Sequence, residues 1–336
     1  MSGIKRPEQY HAVLKYILAQ PEPAFEDASE LHRYWGRPGG FGVHDEVGRL
    51  RTVLVHRPGD ELKVISADGY DPEGGALVDK KEGLWYFRSD KPPDLPLMRR
   101  QHDNLTAVLR EEGVAVEYLD RVRPELTKSV FTRDPFVMTR AGAIVCRMGP
   151  RMRRGEELPM TEKLVSLGLP ILRTLNGTAV FEGGSFCYLD RTHAAMSHSN
   201  RGNEEGIRQI AEVLKTLGVE VVTVPLTGYS SHIDGGLVMI APKLALVNIT
   251  RLPYPFLGYL DGLGIRRVEV DPEDDFFSTN CLSLGNGTII MSTGAERTAE
   301  RLQGLGFKVR LVDISQLTAN GGGVHCSTHE LLRDIA

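Results

Sequence analysis

Cysteine is scarce in this chain, a net positive charge is absent, and no long apolar run occurs. The four cysteines, Cys146, Cys187, Cys281 and Cys326, stand far apart and form no CxxC pair. That pattern argues against a zinc finger and against a disulfide scaffold. Reduced thiols in a cytoplasmic protein are the simplest expectation. The formal net charge is −4, which gives no electrostatic case for nucleic acid or an anionic membrane as partner. No stretch reaches the ~20 apolar residues of a membrane span. Residues 1–20 lack an apolar core followed by small residues, so they do not read as a secretory signal. What remains, 41% hydrophobic and 25% charged over 336 residues, is an ordinary globular balance, with length for one large domain or two smaller ones.

The most chemically suggestive stretch is near the end: Asn320-Gly321-Gly322-Gly323-Val324-His325-Cys326. Three glycines before a cysteine let backbone come very close to it and clear room for a bound molecule. A thiolate nucleophile in a tight pocket would need that. The plainer alternative is a buried core cysteine after a flexible turn.

The organisation of the chain comes from a repeated form. Residues 1–40 are polar and helix-prone, with Tyr10, Val13, Leu14, Ile17 and Leu18 on one stripe before Pro21 and Pro23. Residues 50–56 read as a strand, and 66–81 as a loop, either a flap or a surface excursion. Then a leucine-bearing helix end, a glycine and an alternating apolar strand recur five times, at Gly113, Gly168, Gly218, Gly264 and Gly306. The glycine is a helix stop and the alternation is a strand. The glycines are 55, 50, 46 and 42 residues apart, with short hairpin strands between, as at 142–145 and 244–247. Repetition near that period predicts one α/β domain of five pseudo-repeats arranged cyclically about a shared centre. A doubly wound sheet is the alternative.

Four polar motifs fall between the repeats: Phe131-Thr132-Arg133-Asp134-Pro135, Phe181-Glu182-Gly183-Gly184-Ser185, Ser231-His232-Ile233-Asp234-Gly235 and the Cys326 loop. A ring would aim all four at one point. Taken singly, His232 reads as a structural histidine, Glu182 as a loop acid, Asp134 as a turn residue before proline, and Arg133 as half of a surface ion pair. Together they offer a thiol, an imidazole and three carboxylates. A Cys–His pair supports nucleophilic catalysis. The carboxylates oppose thiolate formation, since nearby like charge raises a thiol pKa. A cationic substrate resolves that conflict, and a guanidinium pairs two-pronged with carboxylates. The competing use is metal binding by Cys326, His232, Asp234 and Glu182. Only the His-x-Asp spacing supports it, so neither metal nor cofactor is expected.

These motifs resemble those of the guanidine-modifying enzymes of the pentein superfamily, five-fold α/β propellers. The likeness is greatest to arginine deiminases, dimethylargininases and amidinotransferases. Val53-Leu54-Val55-His56-Arg57-Pro58-Gly59 is similar to the opening strand of the deiminases. Phe131-Thr132-Arg133-Asp134-Pro135 is similar to their aspartate motif. Ser199-Asn200-Arg201-Gly202-Asn203-Glu204-Glu205-Gly206, Arg153-Arg154-Gly155-Glu156 and the terminal cysteine loop also match, over roughly residues 45–336.

The helix-prone lead is expected to form a helical extension over 1–44, and the resemblance implies a catalytic propeller over 45–336. It implies Cys326 as nucleophile, His232 as general acid/base, Glu182 as its holder or a guanidinium contact, and Asp134 and Asp234 as the guanidinium grip. Arg201, with Arg147 and Arg151 sharing the task, would take the substrate carboxylate, and Phe131 and Arg133 would line the substrate site. There are departures. The interval 62–131 is too short for the helical bundle that longer arginine deiminases insert there. Ser185 stands where an acid is common, and the Glu-Gly-Gly form favours hydrolysis over transfer. The expected activity is hydrolysis of a small guanidino compound, L-arginine or a derivative. Amidino transfer is the alternative, with a dimethylargininase or a non-catalytic scaffold behind it and a homo-oligomer left open.

Overall fold

The computed structural model describes residues 35, 40–228 and 230–336. The helix expected over residues 10–18, and with it most of the expected extension, lies outside the described residues. Phe41 and Val43 are buried in the first hydrophobic core, and the Gly42 N–H donates to the Leu331 carbonyl at 2.9 Å. The packed chain therefore begins before residue 45.

Strand β1 (Leu50–Val55) opens the first sheet. The stretch read as a loop contains β2 (Tyr70–Asp71) and β3 (Ala76–Val78), which form a small antiparallel meander with β4 (Tyr86–Phe87) just beyond it. Its strands are two or three residues long, too short to give an alternating pattern. Helix α1 (Leu95–Glu111) is capped by the Asp94 carboxylate, which accepts from the Leu97 N–H at 2.9 Å, and leads into β5 (Ala115–Tyr118). Then come β6 (Phe136–Thr139), β7 (Gly142–Val145), α2 (Glu157–Ser166) and β8 (Ile171–Thr174). The third group is β9 (Phe186–Tyr188), β10 (His193–His198), α3 (Glu204–Thr216) and β11 (Glu220–Pro225). The fourth is β12 (Leu237–Ala241), β13 (Leu244–Val247), α4 (Tyr254–Gly262) and β14 (Arg266–Glu269). The fifth is β15 (Leu282–Ser283), β16 (Thr288–Ser292), α5 (Glu296–Gly304) and β17 (Lys308–Val312). A short helix α6 (Ser315–Asn320) and strand β18 (His329–Arg333) close the chain.

All five expected helix–glycine–strand forms are present. Their glycines have φ between +68° and +92°, a region in which a Cβ is unfavourable. Five three-stranded sheets share one pairing pattern. In each, the middle strand runs antiparallel to one neighbour and parallel to the strand that follows its helix. The first sheet, ordered β18-β1-β5, is completed by β18, which pairs with the first strand of that sheet's unit, β1. The middle strands are largely buried on both faces. In β7 and β13 every residue is buried, which accounts for their short unbroken apolar runs. Helices α2 and α3 lie on β7 and β10 through Met160, Leu164, Ile210 and Leu214, in one core with Ile144 and Ala194.

This pattern repeats the position of the functional motifs. Asp134 precedes β6, Glu182 precedes β9, His232 precedes β12 and Cys326 precedes β18. In the remaining sheet Asn280 stands just before β15.

Candidate active site

Glu182 and His232 each head a single helical turn, residues 183–185 and 233–235, with extended backbone at the head residue. Glu182 is fully buried, and its Oε2 lies 2.8 Å from His232 Nε2. The Glu182 carboxylate also accepts from the Gly149 N–H at 3.0 Å. Burial alone would strip charge from His232, but Asp134 and Glu182 outweigh it and raise its pKa. Gly184 is required here: a Cβ would sit 2.8 Å from both Asp134 Oδ1 and His232 Nδ1. Its N–H donates to Asp134 Oδ1 at 3.0 Å.

Cys326 is 7% exposed, with its sulfur 3.6 Å from Asp234 Oδ2. Burial first, then the charges of Asp234 and Asp134, push its thiol well above the usual range. Without a counter-charge this sulfur is a thiol. Asp234 also faces His325, whose Nδ1 is 3.0 Å from the same oxygen. Asn280 carries no motif that singles it out in the sequence. Its side-chain oxygen accepts from the Cys326 N–H at 3.0 Å, and its carbonyl from the His325 N–H at 3.3 Å. The signal that could have found it is positional, since each of the other four sheets carries a polar motif at the same point.

Arg153 is the other residue of consequence without an assigned role. Its guanidinium donates to Asp134, to Glu156 Oε2 at 2.7 Å and to the Phe131 carbonyl at 3.2 Å, and it lies 3.8 Å from Glu182. Burial would raise the Asp134 pKa, but His232 and Arg153 hold it low. Burial lifts Glu156 to about 7 despite its pairing with Arg153. Arg201 lies 3.4 Å from Glu182 through Nη1.

The three other arginines expected at the substrate lie elsewhere. Arg133 is buried against Glu330 at 2.6 Å, an ion pair with the last strand that holds it away from the cavity. Arg147 is exposed and donates to the Gly177 carbonyl at 3.1 Å. Arg151 pairs with Glu82 at 3.0 Å. It shares one 3-10 turn with Arg153 but faces out, the two side chains being 67% and 6% exposed.

Asp134, Asp234, Phe131, His232, Arg201 and Cys326 line one cavity of about 140 Å³. Glu182 is bonded to His232 from its buried position. Asp134, Glu182 and His232 also offer three ligand atoms within 4.8 Å of one another. The Arg153 guanidinium is already set among them, so the donor set suits an organic cation better than a metal ion. Among the described residues no helix is long and apolar enough to cross a membrane.

Residues 96–333 match the family described as N,N dimethylarginine dimethylhydrolase, eukaryotic. The uncharacterized protein YkgA of Bacillus subtilis is 30% identical over 235 residues, 69% of this chain and 79% of its own. The N(G),N(G)-dimethylarginine dimethylaminohydrolase of Pseudomonas aeruginosa is 28% identical over 236 residues, 70% of this chain and 88% of its own. A solved structure of the Pseudomonas aeruginosa enzyme, a cysteine-to-serine mutant complexed with citrulline, superposes with a TM-score of 0.67 at 22% identity. The superposition covers 84% of this chain and 100% of that one. The chain thus belongs to the dimethylarginine dimethylhydrolase family, within the pentein superfamily of guanidino-modifying hydrolases and amidinotransferases.

Proposed function

We propose that this chain hydrolyses a guanidino carbon–nitrogen bond of L-arginine or an N-methylated arginine through a covalent intermediate on Cys326. The observation that carries this is the meeting of a buried thiol, a carboxylate-held imidazole and two further carboxylates at one cavity. The family match brings methylated arginines alongside the arginine expected from the sequence. The described sheets support one catalytic unit that takes in residues 45–336 and the packed residues 41–43 before them, five α/β sheets about a common centre in the manner of a propeller.

The substrate guanidinium sits between Asp134 and Asp234, each accepting N–H bonds from the planar cation. Its positive charge offsets the two aspartates and lowers the Cys326 pKa, so the thiol loses its proton to solvent and the thiolate forms only once substrate is bound. The sulfur attacks the guanidinium carbon. The C–N bond then breaks, and the leaving nitrogen takes a proton from His232. The product of this half is a thiouronium. Water gives a proton to His232 and attacks the same carbon. The C–S bond breaks as the new hydroxyl gives its proton to the departed amine or to solvent, releasing a neutral ureido product and the thiolate. Glu182 holds the imidazole and favours its charged form. Arg201 is the candidate for the substrate carboxylate.

The test is turnover of L-arginine and of dimethylarginine in H₂¹⁸O, with nitrogen products and label quantified. Labelled citrulline with dimethylamine or with ammonia supports hydrolysis, and ornithine with two ammonia supports a dihydrolase. Product formed only with an added amine, and without label, would establish amidino transfer. Absence of any product, together with no thiouronium on Cys326 by mass spectrometry, would sink the proposal.

A further inference from the structure

A second cavity, of about 680 Å³, shares no lining residue with the one at Cys326. Its place follows from the repeats. The catalytic motifs precede the first strand of each hairpin, Asp134 before β6 and Glu182 before β9. Arg140 and Arg191 stand where those same two hairpins turn back, after β6 and after β9. Both line the second cavity, with His44, Tyr188 and the end of α3 at Leu217 and Gly218. This cavity therefore lies at the opposite end of the hairpins from the catalytic groups.

What sets this cavity apart is charge. Arg140 and Arg191 line it beside His44, and no carboxylate joins them, in a chain of net charge −4. Among the described residues, neither arginine makes an ion pair. The acids next to the lining residues are committed elsewhere. Asp45 accepts from the Val47, Gly48 and Ala336 N–H groups, and Asp190 pairs with Lys243 at 2.7 Å. Lys243 sits in the next such turn, between β12 and β13, so the basic residue of that turn is neutralised and those of the two preceding turns are not. The end of α3 brings about half a negative charge, less than two guanidinium groups, and its last carbonyls already accept from the Leu217, Gly218 and Val219 N–H groups. Burial first, then Arg140 and Arg191, lower the His44 pKa against a smaller opposite effect of Asp45, which places both guanidinium groups near the ring. Tyr188 is 3% exposed, and its hydroxyl has no hydrogen-bond partner among the described residues. An oxyanion would offset the repulsion between these cations and accept from both planar forks.

We propose that Arg140, Arg191 and His44 form a binding site for a small dianion, phosphoryl or dicarboxylate, separate from the catalytic cavity. The two arginines hold the anion with their forks. His44, protonated as the dianion arrives, and the Tyr188 hydroxyl complete its donors. This site stands whether or not Cys326 acts on a guanidinium.

The experiment titrates the full-length protein with inorganic phosphate and with malonate, reading affinity by calorimetry and the His44 ring by NMR of ring-labelled histidine. At saturating anion the His44 titration should move to higher pH, since bound negative charge offsets the two arginines. Arg140→Gln with Arg191→Gln should weaken binding by about tenfold or more. Both side chains are exposed, so the melting temperature should not change. Arg100→Gln with Arg121→Gln removes the same charge from exposed positions outside the cavity and should leave affinity within about twofold. Tighter phosphate assigns a phosphoryl ligand, and tighter malonate a dicarboxylate. A His44 titration unmoved by both probes, or an equal loss of affinity in the two double variants, overturns the site. So does binding that survives Arg140→Gln with Arg191→Gln.

Discussion

At the scale of single residues, the site is arranged around an unfavourable thiolate. Asp234 and Asp134 lie near the sulfur and burial adds to their effect, so the free protein resists ionisation. Removing either charge should make the thiol easier to ionise even as it removes a guanidinium contact. Asp234→Asn is therefore expected to lose turnover by about 100-fold or more yet to be alkylated several-fold faster at Cys326 by neutral iodoacetamide at about pH 8. Slower alkylation in that variant would show that Asp234 does not oppose the thiolate. His232 obeys the opposite logic. Its charged form is held by Asp134 and by the 2.8 Å contact with Glu182. Glu182→Gln removes one of those charges and should move the imidazole titration to lower pH, as read by NMR of ring-labelled histidine. An unmoved titration would exclude Glu182 as its charge partner.

At the scale of elements, two glycines do different work in similar surroundings. Gly218 ends α3 with φ of +69°, and nothing lies within 4 Å of where its Cβ would be. Gly218→Ala should therefore cost only conformational strain, about 1 kcal/mol, and leave activity intact. Gly184 has no positive φ, but a Cβ would press on Asp134 and His232 at 2.8 Å. Gly184→Ala should cost about 1–3 kcal/mol from overpacking and also lose turnover. Melting temperature and kcat measured together separate the two. A Gly184→Ala protein with unchanged kcat would show that the turn before β9 adjusts without moving the site.

At the scale of the whole molecule, buried neutral histidines make the fold sensitive to acid. His102, fully buried on α1 with no hydrogen-bond partner on either ring nitrogen, is pushed down to about 3 by burial. His329 is also pushed down to about 3, first by burial and then by Arg133, and stacks on Phe136 with centroids 3.6 Å apart. Between about 3 and the unfolded value near 6.5, the unfolded chain binds these protons and the folded one does not. Stability is thus lost as pH falls below about 6.5, by roughly 1.4 kcal/mol per pH unit for each histidine. Glu182, Asp134 and Glu330, all held low by positive partners, add losses of the same sign below about pH 4.5. His232 acts oppositely. Its contribution is complete below about 6.5 and fades as pH rises through its raised value. Glu156, lifted to about 7 by burial, acts in the same sense as His232 and gains stability as pH falls through that range. The His102 contribution is therefore read by comparison: between about pH 7 and about pH 5 the urea midpoint of His102→Gln should fall less, or rise more, than that of the parent. An equal change in the two proteins would contradict neutral burial of His102.

The repeated units and the chemical inventory can be read from the chain because their causes are local. A glycine after a helical leucine, followed by alternating apolar residues, sets φ and period within about a dozen residues, and all five such forms stand as expected. Cys326 after three glycines, with His232 and the acids in turns before strands, is legible for the same reason. The direction of each arginine is not. Arg153 and Arg151 lie two residues apart on one turn, and only Asp134 and Glu156 on one side and Glu82 on the other decide which enters the cavity. Arg133 goes to Glu330 on the last strand, and Asn280 joins the site through its bond to Cys326. Ion pairs and cavity walls join residues far apart in sequence, so the folded chain alone selects among side chains that local pattern treats as equivalent.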